Sequence, residues 1–253
     1  MKNIFIIAAS TYRETIRDKI LYGILIFALI FLASAIVIGS LSLGEDIFVI
    51  KTFGLAGIYL FGLIITIFLG SSVVYAEVEK KTTYFLLAKP VRRSDVILGK
   101  FLGLLTSIGA TTLLMAFAYM LIVRYAGGNF DYASLVAIFL QFLEVGILLS
   151  ILILFSMVTT PLATTIYTIV LVYIGHLLNL FLAFAVKSGL FAKIILTGLY
   201  YVLPNLEKFN IRNIIVHNGS IGLTELVLST GYAIIYASLA LYAAVLIFNR
   251  KEL

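Results

Sequence analysis

The sequence predicts an all-α, polytopic integral membrane protein with about six transmembrane helices and an N-terminal interfacial amphipathic helix. Three observations predict it. Apolar residues make up 62% of the 253 and charged residues 12%, with a mean hydropathy of +1.16. Soluble domains carry about 45–50% and about 25%, and a water-soluble fold of this length lacks the interior to hide so much apolar surface. The apolar residues also form six runs of the length a spanning helix needs, about 20 residues each. Those runs are continuous, as in spanning helices, and do not alternate as the strands of a membrane barrel do.

Residues 3–19 read as the interfacial helix. Phe5, Ala9, Tyr12, Ile16 and Ile20 recur at helical spacing on one face, with Arg13, Glu14, Arg17 and Asp18 off it. A basic amphipathic helix beside a membrane lies on its surface. Ile4–Ala9 is too short for the apolar region of a cleaved signal. Thr11 and Glu14 have capping-box spacing, or are simply polar positions. The spans follow near 20–42, 52–75, 101–123, 133–157, 162–185 and 228–248, and the chain reads as one domain over 1–253. Glycines 54, 57 and 62 in the second span, and Gly99, Gly103, Ser107 and Gly109 at the third, suit close helix packing.

Two non-spanning segments stand out. Residues 76–100 form the largest loop on the side of the termini. That loop opens on Ala76-Glu77-Val78-Glu79-Lys80-Lys81, continues with apolar Tyr84-Phe85-Leu86-Leu87, and is broken by Pro90. Ser94-Asp95 is a candidate N-cap for the third span. Residues 186–227 form the largest segment on the other side. Leu190–Leu203 is apolar but short of a span, and Pro204-Asn205 turns the chain. This reads as an outer-leaflet helix followed by a polar loop, with a re-entrant pair as the alternative.

Orientation follows from Lys and Arg in the short loops. The side of the termini holds Lys2, Arg13, Arg17, Lys19, Lys80, Lys81, Lys89, Arg92, Arg93, Lys100, Arg250 and Lys251, twelve in all. The other holds six: Lys51, Arg124, Lys187, Lys193, Lys208 and Arg212. Twelve against six favours cytoplasmic termini.

Several chemistries are excluded. The chain has no cysteine, hence no disulfide, thiolate metal site or cysteine nucleophile. It has no phosphate-binding GxxxxGK loop followed by Ser or Thr, no HExxH zinc pair and no GxSxG nucleophile elbow. It shows no means of hydrolysing ATP, so uphill movement of a substrate needs a partner or an ion gradient.

Two groups of residues are candidates for function. The loop carries Glu77, Glu79, Thr82, Tyr84, Phe85, Leu86, Leu87 and Arg93. Apolar knobs flanked by charges suit insertion into a groove on a soluble partner; the plainer reading is a juxtamembrane helix whose lysines meet anionic lipid. The second group lies within the spans: Gln141 and Glu144 one turn apart in the fourth, and His176 and Asn179 one turn apart in the fifth. A carboxylate inside a span faces the bundle interior or a cavity. It is either a hydrogen-bonded acid joining helices or a substrate or proton site, unless the span shifts outward and exposes it. His176 and Asn179 read first as a satisfied inter-helix pair.

The loop also resembles a known family. Ala76-Glu77-Val78-Glu79-Lys80-Lys81-Thr82, then Leu86-Leu87-Ala88-Lys89-Pro90-Val91-Arg92-Arg93-Ser94 and Leu98-Gly99-Lys100, is similar to the permeases of the type-2 (exporter) family of ABC transporters. Glu77, Thr82, Leu86, Leu87, Pro90, Arg93 and Lys100 carry the match. Within the family the chain is most similar to the group linked to multicopper-enzyme maturation, including the permease serving nitrous-oxide reductase assembly, on Pro204-Asn205-Leu206 followed by Phe209-Asn210. The resemblance implies a non-enzymatic transport subunit that binds no cofactor itself, with ATP and magnesium on a separate cytosolic ATPase. It also implies a second permease copy, a coupling function for the 76–100 loop, and a place in the cell membrane of a prokaryote among lipid, with no nucleic-acid partner. Two other readings stay open at this point: a proton-coupled secondary carrier using Glu144, and a non-transporting membrane scaffold that recruits a cytosolic protein.

Overall fold

Asp18 ends one helix and starts the next. Its backbone is extended, and its carboxylate accepts the Ile20 N–H at 2.9 Å, which satisfies a donor the helix itself cannot. The break separates α1 (Lys2–Ile16) from α2 (Lys19–Ser40). There follow α3 (Asp46–Glu79), α4 (Arg93–Tyr125), α5 (Tyr132–Ser156), α6 (Pro161–Lys187), α7 (Leu190–Val202), a 3-10 turn (Leu206–Phe209), α8 (Arg212–Val216) and α9 (Leu223–Arg250). Asp131 caps α5 by accepting the Ser134 N–H at 3.3 Å, and Pro161 opens α6, where a missing N–H costs nothing. The computed structural model describes residues 2–42, 44–79, 92–129, 131–187, 189–217, 219 and 221–250, and their side chains except at 2, 72–79 and 187. The described residues contain helices and turns and no strand.

Six helices are long and apolar enough to cross a membrane: α2, residues 46–71 of α3, α4, α5, α6 and α9. They cover the six runs expected from sequence. Three start several residues earlier, α3 at Asp46, α4 at Arg93 and α9 at Leu223, because a helix continues past its apolar stretch into polar residues wherever nothing breaks it. Ser94-Asp95 therefore falls inside the first turn of α4 and does not cap it. The N-cap is Arg92, with no side-chain cap bond, and the Asp95 carboxylate instead lies near the positive end of the helix dipole.

The core centres on α5, which packs on α3, α4, α6 and α9. In its most apolar window 72% of residues are buried, against 56% for α3 and 50% for α4, but only 22–28% for α2, α6 and α9. The three peripheral helices thus leave broad apolar faces bare, as helices in lipid do.

Opposite ends of the bundle are fastened differently. At the end carrying the termini, α1 lies along the start of α4. A Cβ on Gly99 would stand 2.7 Å from Ile7 Cβ, and one on Gly103 would stand 2.6 Å from Thr11 Cβ and 2.7 Å from the Ala8 carbonyl oxygen. Only glycine admits that approach. The face of α1 that packs here carries Ile4, Ile7, Thr11 and Thr15, whereas Phe5 and Ala9, on the face expected to meet lipid, stay exposed. Thr11 and Glu14 lie mid-helix and form no capping box; the Thr15 hydroxyl donates to the Thr11 carbonyl at 2.8 Å. Nearby, Arg93 Nη1 donates to the Phe248 carbonyl at 2.8 Å and the Asn249 carbonyl at 3.3 Å, with the guanidinium 5.6 Å from the Phe248 ring centre. At the other end, Lys51 Nζ meets Asp131 Oδ2 at 2.6 Å.

The segment after α6 turns back into the bundle. α7 packs along α6, and the turn it leads to reaches mid-length. A Cβ on Gly175 would stand 2.7 Å from Leu206 side-chain atoms, and Leu206 and Phe209 are fully buried. The chain then leaves through α8. Residues 206–216 thus pack against α3, α5 and α6, while α7 buries none of its own residues.

Candidate functional site

A set of polar side chains meets where this turn touches α3, α5 and α6. Tyr59 lies thirteen residues into α3, Glu144 twelve into α5, and His176 eleven from the end of α6. At 1.5 Å per residue, all three stand about 16–20 Å from the same end of the bundle. The Tyr59 hydroxyl donates to Glu144 Oε1 at 2.7 Å and stands 2.7 Å from His176 Nε2, which is itself 3.0 Å from Glu144 Oε1. On the other side of the ring, His176 Nδ1 lies 2.9 Å from Glu207 Oε2. Asn210 Nδ2 donates to both Glu207 oxygens at 3.3 Å. Arg212 Nε donates to Asn210 Oδ1 at 3.0 Å, and its guanidinium sits 4.4 Å from the centre of the Tyr59 ring, within cation–π range.

Burial grades across the centre. The side chain of Glu144 is 1% exposed, that of His176 20% and that of Glu207 38%. Glu207 faces a cleft of about 370 Å³ that Lys208, Asn210, Glu225 and Tyr232 also line. The Lys208 ammonium stands 4.6 Å from the Tyr232 ring centre. One carboxylate is therefore sealed among helices and the other opens to a hollow, with an imidazole between them. That arrangement can hold, share and pass protons. A metal would need nitrogen and oxygen donors converging on one point, whereas here the two ring nitrogens point to different carboxylates. Among the described residues no group of three or more His, Cys, Asp or Glu is arranged to hold a metal ion.

The four candidates within the spans separate in the structure. Glu144 and His176 meet directly. Gln141, one turn from Glu144, instead donates to the Leu55 carbonyl at 3.4 Å, and its Oε1 has no partner among the described residues. Asn179 accepts from Asn205 Nδ2 at 2.9 Å, so His176 and Asn179 have separate partners in the segment after α7. The Asn205 N–H in turn donates to the Tyr232 hydroxyl at 2.9 Å. Sequence reasoning missed Tyr59, Glu207 and Arg212. Tyr59 is one of fifteen tyrosines and carries no signal of its own. Glu207 and Arg212 had one: opposite charges five residues apart, directly after an apolar stretch and a Pro-Asn turn.

Of the loop candidates, Thr82, Tyr84, Phe85, Leu86 and Leu87 lie outside the described residues. Glu77 and Glu79 belong to the last turns of α3, and only their backbone is described. Arg93 is the first residue of α4 and holds the last carbonyls of α9, where a helix end carries negative partial charge.

The model of one protein family, described as ABC-2 family transporter protein, matches residues 5–253. No curated protein matches the chain.

Proposed function

The chain belongs to the ABC-2 family of transporter proteins, and on that premise we propose that it is the permease subunit of an ATP-driven exporter whose ATPase is a separate cytosolic chain. The observation that carries the reading is the extent of the match, nearly the whole chain, over six helices fit to cross a membrane. The missing phosphate-binding loop supports placing ATP and magnesium on the partner. Two permease copies and two ATPases form the complex, in the cell membrane of a prokaryote. The Lys and Arg asymmetry supports cytoplasmic termini, and the 204–210 motif supports the multicopper-maturation group. The 76–100 loop is the contact with the ATPase, with Phe85 and Leu86 as its apolar anchors and Glu77 as a register mark.

Co-purification of the ATPase in detergent, with ATP turnover in lipid, tests the contact. Burying one such side chain is worth about 1.5–3 kcal/mol, so Phe85→Ala with Leu86→Ala should lower affinity roughly a hundredfold or more and leave the spans folded. A double variant that binds and couples normally removes the loop from the coupling surface. Orientation has its own test. An impermeant thiol reagent should label a cysteine placed at 220 in intact cells and fail at 2 or 252, in a chain with no cysteine of its own. The polar centre favours one second reading, a proton-coupled carrier. Transport that persists without any ATPase and collapses with the proton gradient selects it.

A further inference from the structure

The polar centre can be read by counting hydrogens. Four contacts have to be filled: Tyr59 Oη to Glu144 Oε1, Tyr59 Oη to His176 Nε2, His176 Nε2 to Glu144 Oε1, and His176 Nδ1 to Glu207 Oε2. Each needs a hydrogen between two electronegative atoms, one of which can be shared within the Tyr59–Glu144–His176 triangle. A neutral imidazole carries one N–H, and an ionised carboxylate none.

Place that hydrogen on Nε2. Tyr59 then donates to Glu144 and Nε2–H points into the triangle, but Nδ1 faces the Glu207 oxygen lone pair to lone pair. Place it on Nδ1, and the Glu207 contact is made. Tyr59 can then donate to Nε2 or to Glu144 but not both, and Glu144 is left facing a bare nitrogen. In either tautomer one contact is repulsive while both carboxylates are charged and the histidine neutral. One added hydrogen repairs all of them: imidazolium between two carboxylates, or neutral imidazole with one carboxylic acid.

The added hydrogen sits at the joint between the segment after α7 and the helices. Glu207 belongs to the turn, His176 to α6 and Glu144 to α5. The other charged or titratable groups facing this joint are Tyr59 from α3 and Arg212 from α8, the latter stacked on the Tyr59 ring. Beside it, Lys208 is held over Tyr232 of α9, and Glu225 of α9 lines the same cleft as Glu207. α7 contributes one charge, Lys193, which is exposed. None of these groups bonds to His176 Nδ1, whose contact is Glu207 Oε2; Asn210 donates to the Glu207 oxygens and not to the ring. The open cleft gives Glu207 access to solvent, and the graded burial runs inward from it.

We infer that Glu207, His176 and Glu144 form a site for one exchangeable proton, taken up through the cleft at Glu207, and that this proton fastens segment 203–216 to α5 and α6. In the inward step Glu207 takes the proton on Oε2 and donates it to Nδ1. With a hydrogen already on Nε2 the ring becomes imidazolium, and Glu207 returns to carboxylate. No electron moves and no co-reactant is consumed. When the proton leaves, a lone-pair clash replaces a hydrogen bond and the segment loosens. The site stands on this geometry and does not depend on the ATPase reading.

Amide variants separate this site from a merely structural polar cluster. In Glu207→Gln the amide N–H donates permanently to Nδ1. In Glu144→Gln it donates to the Tyr59 oxygen, and Tyr59 donates to Nε2. Either change supplies the missing hydrogen without titration. Spin labels on Ile214→Cys in α8 and Tyr173→Cys in α6, both exposed positions of a chain without cysteine, report the gap by pulsed electron resonance of the full chain in lipid nanodiscs. With both acids native, a longer distance should appear as pH rises from 5.5 to 8.5. The open-to-closed ratio should climb at most about tenfold per pH unit, the limit for one proton. Adding Glu207→Gln or Glu144→Gln should keep the short distance throughout. A label distance that ignores pH with both acids native, or amide variants that open with pH as the native pair does, overturns the proposal. Neither result bears on the family or on the ATPase contact, because no ATPase is present.

Discussion

The seam between α1 and α4 and the centre around His176 both join separate elements of the bundle, yet they do so by different physics. At the seam, two glycines let backbone meet backbone and side chain. The approach at the glycines is van der Waals in kind, and an added methyl breaks it. At the centre four side chains from four elements share hydrogens. Shape matters less there than the number of donors, and removing a partner breaks it. The bundle is thus rigid where α1 docks and conditional where the turn after α7 docks.

The largest expected effect tests the centre. Glu144→Leu leaves His176 and Tyr59 facing an apolar side chain, and breaking a buried pair in this way costs about 3–5 kcal/mol. Thermal unfolding in detergent should show the loss, whereas Glu144→Gln should stay within about 1 kcal/mol of the unsubstituted chain. Equal losses in both would mean that volume, and not hydrogen bonding, holds the centre.

The seam comes next. Gly103→Val would push into the Ala8 carbonyl, a backbone atom that cannot rotate away, at about 1–3 kcal/mol. Detachment of α1 should open Arg13 to trypsin. Gly23→Ala, with nothing within 4 Å of the new Cβ, should leave the digest unchanged. If the two variants digest alike, the close approach is not what holds α1.

Smaller effects belong to the ends. Burial raises the Asp131 carboxyl, but the hydrogen bonds and charge of Lys51 and the bonds from Ser134 outweigh it and hold the group below its ordinary value. A carboxyl depressed by folding stabilises above its unfolded pKa and loses that contribution as pH falls through the folded value. Asp131→Asn should cost about 1 kcal/mol at neutral pH, and the gap to the unsubstituted chain should close in acid. A gap that does not shrink would mean that the ion pair contributes nothing. Smallest of all, Arg93→Lys keeps the charge but loses the planar fork and the ring contact. A loss of less than about 1 kcal/mol is expected, read from unfolding at low and high salt; a loss as large as that of Glu144→Leu would make this end the main fastening.

The spans were legible because a run of about 20 apolar residues has few other fates. Glu144 was legible because an acid inside such a run is costly and therefore conspicuous. Its partners were not. His176 showed itself only as a polar residue on a helix, with Asn179 its nearest polar companion in sequence. Glu207 and Tyr59 lie more than sixty residues away in sequence on either side, and no periodicity links them. The course of the 186–227 segment was hidden for a related reason. A Pro-Asn turn after a short apolar helix does not say what the turn will meet; Gly175, whose missing side chain lets Leu206 in, is what buries it.

Arg93 gives α9 a further meaning. From Phe248, whose carbonyl it grips, to Tyr232, which accepts the Asn205 N–H, is one uninterrupted helix without a proline. The distance is about 24 Å at 1.5 Å per residue. A helix resists compression along its axis, so α9 behaves as a pushrod. Its foot is bolted to the first residue of α4, and its shaft is pinned to the turn at Asn205. Whatever draws Arg93 along the axis draws Tyr232 with it.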